Sequence, residues 1–221
     1  VTLYIIDPFN LSEKYKLEHK LQKIYYSQFK DIKIEYIPSK FPQYKFFNKF
    51  FSLIDYFKDK EIPEQSFYAD HDIFIIHKQM VSNLFSKRIF LNCKIEQKFD
   101  WKKLFQEKLN LKINTNFNQR FLSCFFPLYK NFLNDLENEL KIFYKKKDLF
   151  ILYSGLFEEY FFTKIILQNN YKTIDIQKNK EEFLYIMHYQ ILEKFKFNLL
   201  KIDKNCKNTI QKLEKIYKEK E

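Results

Sequence analysis

Asp70 and Asp72 stand two residues apart in the stretch QSFYADHDIFIIHK, residues 65–78. Two carboxylates at that spacing, on a turn after a strand, can reach one divalent ion. Hard cations such as Mg²⁺ or Mn²⁺ take oxygen ligands and share them with substrate phosphates. A cation held there would neutralise a diphosphate as it leaves. The plainer reading is a turn in which Asp70 and Asp72 cap backbone donors. His71 lies between them and, in an extended chain, points to the opposite side. Glu158 and Glu159 follow Gly155 in GLFEEYFF. Acidic residues are favoured near a helix N-terminus, which alone can explain them. A carboxylate with a raised pKa at that place could instead serve as a general base. Of the two, Glu159 is preferred. Late in the chain MHYQILEK holds His188 and Lys194, six residues apart. A histidine in an aromatic-apolar strand is commonly a core residue, and a lone lysine is commonly a surface cation.

Positioning these groups needs a scaffold, and the apolar pattern supplies one. VTLYIID (1–7) reads as a buried strand stopped by Pro8. Asp7 ends it and can cap the Asp7-Pro8 turn. An apolar stripe of Leu17, Leu21, Ile24 and Tyr25 predicts a helix over 12–29. IKIEYI (32–37) predicts a second strand. Phe46, Phe47, Phe50, Phe51, Ile54 and Phe57 fall at helical spacing, and residues 66–69 predict a third strand arriving at Asp70. This β-α-β-α-β order implies a parallel sheet with helices on its faces. In such sheets ligands sit outside the carboxyl ends of the strands, where Asp7, Asp70 and Asp72 fall.

The second half is less regular. Strands are expected at 88–95, 171–176 and 183–189, and an extended run at 111–126. Helices are expected at 100–109, at 127–146 with Pro127 in the first turn, and at 156–168. A charged helix with one apolar stripe closes the chain at 203–221, behind a single domain at 1–202.

With the Asp70-His71-Asp72 motif third in a β-α-β-α-β series, the chain resembles the nucleotide-sugar glycosyltransferases of the GT-A fold. His188 and Lys194 match the ends of the late His-x-x-Gly-x-x-Lys element of glycosyltransferase family 8 and its relatives, with Ile191 at the glycine position. NTNFNQRF is similar to a middle segment of that family, with Asn118 fitting and Arg120 standing where the family has glycine. The resemblance implies an α/β, Rossmann-like, mixed but mostly parallel sheet. It implies Mn²⁺ or Mg²⁺ held by Asp70, Asp72 and His188. Lys194 would meet the diphosphate, with Asp7, Asp70 and Asn118 also on the donor side. Glu158 or Glu159 would face the acceptor hydroxyl. The donor would be a nucleotide sugar, most simply a UDP-sugar, and the acceptor a glycan, a lipid-linked saccharide or a protein. Ile191 and Arg120 motivate an alternative: a degenerate, non-catalytic binding protein of the same fold.

Composition adds little. The 221 residues carry a formal net charge of +11, with 27 Phe, 16 Tyr and a single Gly. Scarce Gly and Ala beside abundant Lys, Ile, Asn and Phe indicate an AT-rich genome, so the basic balance is discounted. A metal-dependent nuclease using the same carboxylates remains as a third reading, with nucleic acid the less favoured partner. The three cysteines have no metal spacing, which fits a reducing cytoplasm. No run of 18 apolar residues and no signal peptide is legible. The closing helix could touch the inner membrane face, near lipid-linked acceptors. No glycine-rich phosphate loop or serine nucleophile motif occurs.

Overall fold

The computed structural model describes residues 1–7, 26, 30, 32–70, 73–75, 87–93, 103, 106–107, 120–143, 154–175, 186–188 and 215. β1 (Thr2–Asp7) lies between β2 (Lys33–Pro38) and β3 (Ser66–Ala69), parallel to both. β7 (Phe125–Leu128) runs antiparallel along the far side of β3, so this sheet has the order β2-β1-β3-β7. Two smaller sheets complete the described strands. β4 (Ile73–Ile75) pairs antiparallel with β9 (Ile186–His188). β5 (Phe90–Cys93) lies between β6 (Arg120–Phe121) and β8 (Thr173–Asp175), antiparallel to the first and parallel to the second. The architecture is α/β with a mixed, mostly parallel main sheet, as expected.

Both faces of the main sheet are buried along β1, β3 and β7. Tyr4, Ile6, Ile37, Tyr68, Phe126 and Leu128 join the core cluster with the helices. The alternate residues Leu3, Ile5, Phe67, Ala69 and Phe125 are buried too, because successive side chains of a strand point to opposite faces. That is why these strands read as unbroken apolar runs.

The helix expected around Phe46–Phe57 is in two parts. A 3-10 helix, Pro42–Phe47, leads into α1, Asn48–Tyr56. Pro42 suits the opening position, where a missing N–H costs nothing. Asn48 ties this entry to the end of β2. Its Oδ1 accepts from the Phe41 N–H at 2.9 Å, and its Nδ2 donates to Ser39 Oγ at 2.8 Å.

α2 spans Lys130–Phe143 and α3 spans Ser154–Gln168. Pro127 does not open α2 as expected. It lies inside β7, opposite Phe67. β7 is an outer strand among the described residues, and proline, lacking an N–H, is tolerated where the ladder needs no donor. The helix begins three residues later, after Tyr129. Asn170 ends α3 in the left-handed conformation, φ 52°, a place usually taken by glycine. The Tyr171 N–H donates to the Ile166 carbonyl at 3.1 Å and closes the helix.

The helix expected at 12–29 falls outside the described residues except for Tyr26, which is helical and buried. That expected at 100–109 is helical at Lys103, Gln106 and Glu107, and the tail at Lys215. Among the described residues no helix is long and apolar enough to cross a membrane.

Candidate active site

Asp70 follows β3 directly. Its N–H donates to the Cys124 carbonyl at 2.8 Å, in the turn that joins β6 to β7. Its Oδ1 accepts the Tyr68 hydroxyl, and its Oδ2 stands 3.8 Å from Lys49 Nζ. Asp70 is therefore held at its backbone and met at both carboxylate oxygens, yet its side chain keeps 24% exposure at the carboxyl end of the sheet.

Lys49, the second residue of α1, is only 6% exposed. Lysines are almost never buried unless paired, and this one is paired twice. Nζ lies 2.8 Å from Glu158 Oε1 on α3 and donates to Ser123 Oγ at 3.1 Å. The rings of Phe50 and Tyr68 flank it at 5.6 and 5.8 Å, within reach of cation–π attraction. α3 is itself pinned. The Phe121 N–H donates to the buried Thr163 Oγ1 at 3.3 Å, fixing the helix against β6.

Burial drives the Lys49 ammonium toward its neutral form, but the carboxylates of Asp70 and Glu158 outweigh it and hold its pKa above the ordinary value. Burial likewise pushes the Glu158 carboxyl up to about 7, against the opposing pull of Lys49 and the Ser123 hydroxyl and with a small push from Glu159. Glu158 Oε1 has a charge partner but no aligned hydrogen-bond donor. A carboxylate–ammonium–carboxylate row thus runs from the interior to the sheet edge, with Glu158 sealed at 2% exposure and Asp70 at the outer end.

The fold brings Asp70 and Glu158 together through Lys49. Glu159 sits beside Glu158 and is half-buried. Asp7 ends β1, its backbone paired with Pro38. By the register that sets Tyr4 beside Tyr68, it falls one step beyond the level of Asp70. His188 lies in β9 with its backbone paired to Ile73. Asp72, Asn118 and Lys194, and the side chains of Asp7 and His188, lie outside the described residues.

Among the described residues no group of three His, Cys, Asp or Glu side chains is set to hold a metal ion. Of the expected donor set, the Asp70 carboxylate and the backbone of His188 are described. Asp70 offers a hard oxygen at a partly exposed edge, and the β4–β9 pairing brings the backbone of His188 to the strand that leaves the aspartate motif.

Sequence reasoning missed Lys49 and Ser123. A lysine inside the phenylalanine-rich helix pattern, FFNKFF, was the available signal for the first. Nothing local marked the second.

No family model matches the sequence. No curated protein matches it either. Among solved structures the chain is similar to the crystal structure of a glycosyltransferase involved in the glycosylation of the major capsid of PBCV-1. The TM-score is 0.43 and the identity 10%, over 85% of this chain and 92% of that one. That likeness is one of chain trace and assigns no role to any residue.

Proposed function

We propose that the chain is a metal-dependent glycosyltransferase that moves a sugar from a nucleotide-sugar donor to a saccharide, lipid-linked or protein acceptor. The observation that carries this reading is the antiparallel pairing of Ile73 with His188. It joins two motifs far apart in sequence, beside the carboxyl end of β3 where ligands of parallel sheets bind. Asp70, Asp72 and His188 would hold Mn²⁺ or Mg²⁺, which offsets the charge of a departing diphosphate. Asp7, Asn118 and Lys194 are the further candidates on the donor side. Glu158, sealed by α1 and bound to Lys49, is closed to an acceptor. The half-buried Glu159 is the better candidate for a general base.

A second reading has its own observation. Lys49 already stands 3.8 Å from Asp70, so part of the carboxylate's charge is met from inside. A transferase-like protein that binds a nucleotide sugar without turnover fits that.

Calorimetry with Mn²⁺ and a panel of UDP-sugars tests both. We expect Mn²⁺-dependent binding of a UDP-sugar, weakened at least about tenfold in Asp70→Asn and His188→Ala. Binding of equal strength in EDTA, or none at all, overturns the metal-dependent reading. Binding without UDP release in the presence of acceptor glycans would favour the second.

A further inference from the structure

We infer that Lys49 is a positioning residue, which acts on the exposed end of β3 by holding Asp70 from inside the fold. The inference rests on the transferase reading for its purpose, though not for its geometry. An ammonium has three donors and no acceptor. Here they have three oxygen neighbours on three separate parts of the chain. Ser123 Oγ, in the turn between β6 and β7, accepts at 3.1 Å. Glu158 Oε1 on α3 lies at 2.8 Å, and Asp70 Oδ2 after β3 at 3.8 Å.

The distances order the roles. Glu158 and Ser123 are close and buried, so they fix where the ammonium sits. Asp70 is farther and partly exposed, so it feels a fixed positive charge rather than a tight bond. Its carboxylate is steered by that charge, by the Tyr68 hydroxyl on Oδ1, and by its own N–H bond to Cys124. With both carboxylates ionised, the row carries one surplus negative charge, which favours a cation at the exposed end. Glu158 is thereby assigned to Lys49 rather than to a substrate.

The test removes the inner pair together. Lys49→Met alone would strand a buried carboxylate, whereas replacing a buried ion pair by apolar residues of similar size is often tolerated. In Lys49→Met/Glu158→Met, studied well above pH 7 where Glu158 is ionised, both charges go, and the sum of charge around Asp70 is unchanged. Any effect on Asp70 then reports its positioning rather than net charge. Two quantities are measured: hydrogen exchange at the Asp70 amide without metal, against the Leu3 and Tyr4 amides as internal controls, and the Mn²⁺ dissociation constant.

We expect exchange at Asp70 to accelerate about tenfold while β1 holds, and Mn²⁺ binding to weaken by about tenfold, the usual scale for losing the support of a metal-binding side chain. Lys49→Arg, which keeps the charge, should stay within about threefold of the parent protein in both, less than losing that support costs. Unchanged exchange at Asp70 overturns the proposal. So does a uniform acceleration through β1 and β3, which would reduce Lys49 to a stabilising role. If the parent protein binds no Mn²⁺, the transferase reading falls, and the metal-free exchange result alone decides the role of Lys49.

Discussion

Glu158 holds its proton more tightly in the folded protein than in the unfolded chain, because burial raises its pKa from 4.5 to about 7. The sign follows from linkage. Its contribution favours the folded state fully below about pH 4.5 and is lost as pH rises through about 7. The groups that face it, Lys49, Ser123 and Glu159, do not reverse that sign. Lys49 stays charged across the window, since its pKa lies above its ordinary value. We therefore expect the stability of the parent protein, measured against Glu158→Gln by urea unfolding, to fall by on the order of 2 kcal/mol between pH 4.5 and 7. It should level off above that. Parallel pH curves for the two proteins would show that Glu158 is not desolvated in the way described. The two adjacent glutamates were legible in sequence as a pair, but which of them turns inward was not. Adjacent helix positions differ by about 100° in direction, and only the packed position of α3 against α1 selects one.

At the scale of elements, Asn48 holds the 3-10 helix and α1 onto the end of β2. Beyond its bonds to Phe41 and Ser39, its Oδ1 accepts the Ser52 hydroxyl at 3.1 Å. The Lys40 N–H in turn donates to Ser52 Oγ at 3.3 Å. Because Asn48 is buried, truncation leaves polar groups without partners and costs more than the bonds themselves. Asn48→Ala is expected to lower the unfolding free energy by about 2 kcal/mol, read from denaturant titration. A loss below about 0.5 kcal/mol, the low end for one hydrogen bond, would show that water replaces the amide at no cost. The strands ending at Asp7 and Ala69 were plain in sequence, since apolar runs stopped by Pro or Asp mark buried strands. β7 was not. Pro127 reads equally as a helix opener or as part of an outer strand, and only pairing with β3 decides. The end of α3 at Gln168 was legible, although Asn170 stands where a glycine would have announced it.

At the scale of the molecule, the core is aromatic. Phe162 of α3 is fully buried and stacks on Phe50 of α1 at 5.9 Å. It also meets Phe126 of β7 at 5.0 Å, Phe132 of α2 at 5.8 Å and Phe90 of β5 at 5.9 Å. One ring thus joins three helices to two sheets. Phe162→Ala is expected to cost about 3–5 kcal/mol, through lost burial and the cavity left behind. Phe162→Leu should cost clearly less, since more of the volume is kept. Equal losses in the two variants, by chemical denaturation, would show that the site collapses freely and that the ring's shape is immaterial.

The sequence by itself determined the three parallel strands of the first sheet and the helix that precedes β3, and with them the position of Asp70 at the end of β3. These follow from hydrophobic period and from stop residues, which act within a few positions along the chain. The tertiary structure alone decided that β1 lies between β2 and β3, that β9 returns to β4, and that Lys49 turns inward between two carboxylates. Strand neighbours and buried charges are settled by what distant segments bring to the same place. A buried ammonium is tolerated only where other elements supply its counter-charges, and no local window of sequence contains them.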